Sequence, residues 1–208
     1  TKKERTGAEL LMLCLEKQGV EYIFGYPGGA NLPIFDAIYD SSKSLLVMMS
    51  SALDYAKYEQ GIFELESISF NLHGLIHGVI FSVNTTAEKR GINLYEIIAD
   101  DIPAMVCGDP EKLRQVFLNL LNNALKFTER GSITLTVERR DSGNGDAINL
   151  RFSVIDTGIG IAQQSQGQIF DPYSQEDSTV ARRYGGTGLG LAICKEIIEK
   201  QGGTIDFN

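Results

Sequence analysis

Asp156-Thr157-Gly158-Ile159-Gly160-Ile161 and, further on, Gly185-Gly186-Thr187-Gly188-Leu189-Gly190-Leu191 decide how this chain reads. Glycine lets backbone approach a ligand closely and adopt positive φ. A glycine loop that opens a helix turns free N–H groups towards an anion. Residues 185–201 have that order: glycines first, then Leu189, Leu191, Ile193, Ile197 and Ile198 at helical spacing. Either cluster alone also reads as an ordinary turn. Together, and with an asparagine-bearing helix upstream, they read as an ATP site. The first cluster and Asp156 hold the base, and the second holds the phosphates.

The upstream helix has a clear start. Asp109 caps it and Pro110 takes its first position. Val116, Phe117, Leu120, Leu121, Ala124 and Leu125 form an inward face, while Asn119, Asn123 and Lys126 fall at i, i+4 and i+7 on another. Asparagine is a mediocre helix former, so Asn119, Asn122 and Asn123 in close succession ask for a reason. A side-chain amide oxygen ligates Mg2+ without adding charge, and Mg2+ bridges phosphate oxygens while keeping waters. A nearby lysine neutralises phosphate. The plainer reading is a solvated polar face.

Ile92–Ile98 reads as a strand, and Ser132–Glu138 with Ile148–Ile155 as an antiparallel hairpin with one wet face. Arg139–Ala147, rich in glycine and polar residues, is its loop. Asp156 ends the second strand. A carboxylate there accepts the adenine amino proton and so chooses adenine over guanine; losing such a buried partner costs about 1–3 kcal/mol. Ile169-Phe170-Asp171-Pro172-Tyr173 opens a polar stretch, 174–184, poor in apolar anchors. It reads as a lid over the phosphates, with Arg182 and Arg183 able to reach the γ-phosphate.

Residues 109–207 resemble the catalytic ATP-binding domain of sensor histidine kinases, most of all the hybrid kinases. Asn119–Thr128 is similar to the family's asparagine box, Asp156–Ile161 to its first glycine box, and Phe170–Tyr173 to its phenylalanine box. Ser178–Leu191 is similar to its lid and second glycine box. The resemblance implies an α+β fold of the Bergerat type, a two-layer sandwich of a mixed sheet and three helices. It implies ATP and Mg2+, with Asn123 on the metal and Asn119 assisting, Asp156 on adenine, and Gly186, Thr187, Gly188, Leu189 and Gly190 at the phosphates. Lys126, Phe127, Gly158, Gly160, Ile161, Phe170, Tyr173, Arg182 and Arg183 complete the implied nucleotide site, and no residue is assigned as catalytic.

The implied activity is phosphoryl transfer from ATP to a histidine supplied elsewhere, with a response regulator as partner in the full-length context. The alternative is a silent ATP-binding or dimerisation module that lacks a phosphoacceptor. Related gyrase, mismatch-repair and chaperone ATPases place a glutamate at the position of Asn119 to activate water. Asparagine cannot act as that base, so steady hydrolysis is disfavoured. The chain also stops at Asn208, where the family adds a glycine turn and another strand. An unpaired sheet edge and some exposed core are expected.

The front of the chain reads differently. Thr6 and Glu9 form a capping box, Leu10, Leu11, Leu13 and Leu15 give an apolar face, and Gly19 is a stop. Val20–Phe24 reads as a short strand, Tyr26–Gly29 as a turn, and Pro33 as the first turn of a second helix. Thr6–Leu11 with Phe24–Ala30 resembles the start of acetolactate (acetohydroxyacid) synthase, a thiamine-diphosphate enzyme, as far as Ser41. The family's activating glutamate and pyrophosphate domain are absent, so the resemblance implies origin rather than thiamine catalysis.

From Ile34 through Ile38, Ser41, Leu45, Met48, Ala52 and Tyr55 to Glu59 runs a heptad-like seam, which predicts a helix over 33–60 ended by Gly61. Leu53–Gly61 resembles the second helix of a histidine-kinase dimerisation hairpin, and a homodimer through 34–60 follows from an unburied seam. The expected domains are residues 1–41, 42–66 and 67–208. Phe70–Arg90 reads as a further amphipathic helix, with Leu72, Leu75, Ile76, Val79, Ile80 and Val83 inward. It carries His73 and His77, the only histidines. No third metal ligand accompanies them, and the glycines that follow each are unlike a phosphoacceptor motif.

The 208 residues suffice for one or two domains. A net charge of −8 argues against non-specific nucleic-acid binding. Cys14, Cys107 and Cys194 form no CxxC pair, which suits a reduced cytoplasmic compartment and no zinc site. No apolar run reaches the ~18–20 residues of a membrane span, and the basic start, Thr1–Arg5, has no signal-peptide pattern.

Overall fold

The asparagine-bearing helix spans Pro110–Phe127 in the computed structural model. Asp109 caps it by accepting the Lys112 amide at 2.9 Å, and the first-turn proline sits where an N–H would be unpaired. The other Asp109 carboxylate oxygen accepts the Glu66 amide at 3.1 Å, which ties the incoming chain to the start of this helix. The structure describes residues 64–140, 148–174 and 188–208, and scattered positions between 15 and 56.

In chain order the elements are β1 (Ile68–Asn71), α1 (Leu72–Arg90), β2 (Ile92–Ile98), β3 (Met105–Gly108), α2 (Pro110–Phe127), β4 (Gly131–Arg140), β5 (Asn149–Asp156) and α3 (Gly190–Lys200), with a short 3-10 turn at Gln166–Gln168 before α3. β2, β4 and β5 form one sheet in that order, and β1 pairs with β3 in a second. The larger sheet is mixed. β2 runs parallel to β4 with Leu94 opposite Ile133, and β4 runs antiparallel to β5 with Ile133 opposite Asp156.

Side chains alternate across a strand, and β4 shows the result. Ile133, Leu135 and Val137 are buried, while Thr134 and Thr136 between them are not. The buried face packs against Leu72, Ile76 and Val79 of α1 and Phe117, Leu121 and Leu125 of α2. Phe117 also meets Phe152 of β5 edge-on, with ring centroids 5.2 Å apart. A second cluster joins α2 to α3 through Val116, Leu189, Ile193, Cys194 and Ile197. This is the expected α+β sandwich of a mixed sheet and three helices.

Two expectations need correction. The helix read from Phe70 begins at Leu72, because Asn71 accepts the Gly74 amide at 2.8 Å and caps it there. Phe70 instead lies in β1, opposite Val106 of β3. Ile80 is partly buried and packs against the core as expected, and Ala87 extends the inward face two turns further on. β4 also runs through Arg140, beyond the expected Glu138. Residues 141–147 of the hairpin loop and the strand read at Val20–Phe24 lie outside the described residues. Within the expected helices, the described positions Leu15 and Lys17, and those from Asp36 to Ala56, are helical.

Deleting a buried side chain at the helix–sheet contact leaves a cavity. Leu121→Ala is expected to lower the unfolding free energy by about 2–5 kcal/mol. Phe81→Ala, at a side chain 75% exposed, should stay within about 0.5 kcal/mol. Urea unfolding followed by circular dichroism checks both.

Candidate nucleotide-binding site

The polar face of α2, the end of β5 and the start of α3 converge on one cavity of about 1860 Å3. Asn119, Asn122, Asn123, Lys126 and Phe127 line it from α2. Asp156, Gly158, Gly160 and Ile161 line it from the end of β5 and the loop that follows. Phe170, Gly188 and Gly190 close it from the third side. Asn123 and Asp156 therefore border the same hollow. The volume exceeds the ~300–1,000 Å3 of an ordinary ligand pocket. Leu150, Phe152, Val154, Ile205 and Phe207 also line it. β5 is an edge strand among the described residues, with β4 on one side alone.

Two glycines hold the polar end in shape. A Cβ on Gly158 would lie 2.6 Å from the Phe127 carbonyl oxygen, and the same oxygen accepts the Ile159 amide at 3.3 Å. The first glycine loop is thus clipped to the end of α2, and only glycine fits there. Asp156 turns back on this loop, its Oδ1 accepting the Gly158 amide at 2.8 Å. Gly188 has φ 70°, and a Cβ there would meet the Tyr173 backbone at 2.8 Å. Tyr173 donates its amide to the Gly188 carbonyl at 3.0 Å, so the two sides of the segment between them are joined at its base.

α3 begins at Gly190 without a side-chain cap on its first amides. Those amides carry the partial positive charge of a helix N-terminus. Asn119 is fixed against this turn, its Nδ2 donating to the Gly190 carbonyl at 3.3 Å. Burial lowers the pKa of Lys126, whose amine stands 4.7 Å above the Phe127 ring. An anion in the cavity would favour the charged form again. The donors on offer for a cation are neutral amide oxygens. No group of three or more His, Cys, Asp or Glu side chains is placed to hold a metal among the described residues. Such a set suits a cation that takes most of its ligands from phosphate and water, as Mg2+ does.

Not every expected residue reaches the cavity. Leu189 is buried in the α2–α3 cluster instead. Tyr173 sits at φ 62°, and its ring points away to meet Tyr55 edge-on at 6.3 Å. Arg182, Arg183, Gly186 and Thr187 lie outside the described residues. Asn122, which the helical spacing left off the face of Asn119 and Asn123, does line the cavity. Its place in the asparagine run was the available signal. His73 faces the Ile102 carbonyl at 3.2 Å and His77 pairs with Glu96 at 3.4 Å, both away from this site.

Residues 108–208 match the family described as histidine kinase-, DNA gyrase B-, and HSP90-like ATPase. The hybrid signal transduction protein dokA of Dictyostelium discoideum is 42% identical over 172 residues, which is 82% of this chain and 10% of that protein. Full-length ShkA, solved in complex with AMPPNP, superposes with a TM-score of 0.72 at 28% identity, over 95% of this chain and 42% of its own. The catalytic domain of histidine kinase ThkA is 31% identical with a TM-score of 0.54, over 65% of this chain and 83% of that one. ThkA in complex with the response regulator TrrA matches with a TM-score of 0.64 at 25% identity, over 94% of this chain and 52% of that one.

The chain belongs to the histidine kinase-, DNA gyrase B- and HSP90-like ATPase family. Within that family, it carries the ATP-binding catalytic domain of a two-component sensor histidine kinase. It spans 10% and 19% of the length of the first curated relatives it matches. Residues 5–52 match a second model, the N-terminal TPP-binding domain of thiamine pyrophosphate enzymes, which runs past Ser41.

A methyl group at Gly158 must displace either the Phe127 carbonyl or the Asp156 loop. Gly158→Ala is expected to weaken ATP binding at least about tenfold, a loss of roughly 1.4 kcal/mol. Isothermal titration calorimetry against the wild-type chain measures it.

Proposed function

We propose that this chain binds ATP with Mg2+ at the polar end of the cavity and passes the γ-phosphoryl group to a histidine on another segment or molecule. The observation that carries this reading is the meeting of Asn123, Asp156 and the uncapped start of α3 on one hollow. Asp156 accepts the adenine amino group, and the α3 amides face the phosphates. Asn123, with Asn119 assisting, offers amide oxygens to Mg2+, whose charge offsets that of the phosphates. Lys126 adds positive charge beside them, and Arg182 and Arg183 come from the lid.

Asn119 supplies no general base, so water is poorly activated and ATP is kept for transfer. The recipient histidine lies outside this chain, because His77 is engaged with Glu96 and His73 faces a backbone carbonyl. A response regulator is the onward partner, as in the ThkA–TrrA complex. Tyr39, Leu46, Met49 and Leu53 are 55–67% exposed at steps of three, four and seven along described helical positions. That apolar stripe supports a homodimer through the helix around 34–60. It lies one position off the expected seam, whose Tyr55 is partly buried against the α2–α3 cluster. Among the described residues no helix is long and apolar enough to cross a membrane, and a cytoplasmic location fits an ATP-dependent domain. The thiamine-enzyme-like front marks origin and contributes no thiamine chemistry.

The second reading is a silent ATP-binding module, favoured by the position of both histidines away from the cavity. Mg2+ and ATP should raise the melting temperature of the wild-type chain by mass action. Asp156→Ala and Asn123→Ala should each remove that shift. Labelled ATP, supplied together with a histidine-bearing dimerisation hairpin from a sensor kinase, separates the readings. Acid-labile label on the hairpin supports transfer, whereas binding without label leaves the silent module. A wild-type chain that takes up no adenine nucleotide sinks both.

A further inference from the structure

The last turn of α2 is finished by a side chain from another helix. The final four carbonyls of an α-helix have no partner within it. Here the Thr128 amide donates to the Ala124 carbonyl at 2.9 Å, and the Ile159 amide to that of Phe127 at 3.3 Å. Between them, Arg90 of α1 donates from Nη1 to the Leu125 carbonyl at 2.7 Å. A charged donor makes the stronger hydrogen bond, and a cation suits the negative end of a helix. The root of Arg90 is itself fixed. Gly91, at φ 69°, ends α1 with its amide donating to the Ala87 and Glu88 carbonyls. The next residue, Ile92, starts β2 opposite Gly131, the first residue of β4. Arg90 thus reaches α2 from a point tied to the sheet.

We propose that Arg90 is a positioning residue for the adenine end of the nucleotide site, acting through the Phe127 carbonyl. The proposal rests on the reading that Asp156 accepts the adenine amino group. Arg90 does not line the cavity, so it acts at one remove. Two residues beyond its bond, the Phe127 carbonyl holds the first glycine loop, with Gly158 seated so close that a Cβ would lie 2.6 Å from the oxygen. The Gly158 amide in turn donates to Asp156 Oδ1 at 2.8 Å. Helix ends fray where their carbonyls lack partners. Without the guanidinium, the Leu125 carbonyl loses this donor, the last turn loosens, and the Phe127 carbonyl no longer stands in one place. The carboxylate that reads the base then loses its setting. The start of α3, which faces the phosphates in the same reading, is fixed to the middle of α2 by Asn119 instead, so it keeps its place.

Arg90→Met removes the donors and keeps an unbranched stem, whereas Arg90→Lys keeps a charged donor for the single carbonyl. Calorimetry on each full chain, with Mg2+ present, compares ATP with purine riboside triphosphate, which lacks only the 6-amino group. For Arg90→Met the ATP affinity is expected to fall about fivefold, while the affinity for the amino-free analogue stays within about twofold of wild type. Arg90→Lys should recover most of the preference for ATP. Equal losses for the two nucleotides would mean a purely structural role and overturn the proposal. So would an Arg90→Met chain with the wild-type preference, or an Arg90→Lys chain no better than Arg90→Met. The side chain is exposed, so Arg90→Met is expected to fold. If it does not, Arg90→Gln is held to the same comparison: a loss confined to ATP of at least about twofold supports the proposal, and no loss or an equal loss overturns it. A wild-type chain that binds the two nucleotides equally removes the underlying reading of Asp156, a result distinct from any failure confined to the variants.

Discussion

α2 has one way to lie on the sheet, and the site follows from it. Phe117, Leu121, Ala124 and Leu125 must leave water, and β4 offers Ile133, Leu135 and Val137 as the surface that takes them. Fully burying one such side chain is worth roughly 1.5–3 kcal/mol, more than any polar contact on the opposite face can oppose. The helix therefore cannot roll. Asn119, Asn123 and Lys126 are carried to the other side as a consequence of packing. The sandwich thus orients the polar face before any ligand arrives, which is the condition for a preorganised site.

The rest of the site is attached to α2 at two points. At its end, the Phe127 carbonyl holds the first glycine loop, and the absence of a side chain at Gly158 lets the backbones come that close. At its middle, Asn119 and Val116 meet α3 across a cluster that includes Cys194 and Ile193. The base end and the phosphate end of the cavity are thus both referred to a single rigid element. Their separation is fixed by the helical rise between Asn119 and Phe127 rather than by the loops.

Much of this was legible because it is local. Asp109–Pro110 announces the start of α2, the spacing of its leucines names its buried face, and β2 was read at its observed bounds. What escaped depends on distant partners. β1 and β3 are four residues each and hold together only across the span from Ile68 to Gly108. Phe70 was therefore drawn into the helical pattern beside it. Tyr173 follows a recognisable motif, yet a left-handed backbone at φ 62° turns its ring out of the cavity. Cys194 looked like an isolated thiol, since its place against the Val116 carbonyl exists only once two helices have packed.

Asp109 joins two stretches of chain with one carboxylate, holding the Glu66 amide with one oxygen and the Lys112 amide with the other. Losing that carboxylate would release both backbone segments at once. The entry to β1 and the first turn of α2 are therefore coupled through one side chain, although the chain between them passes through a strand, a helix and two further strands.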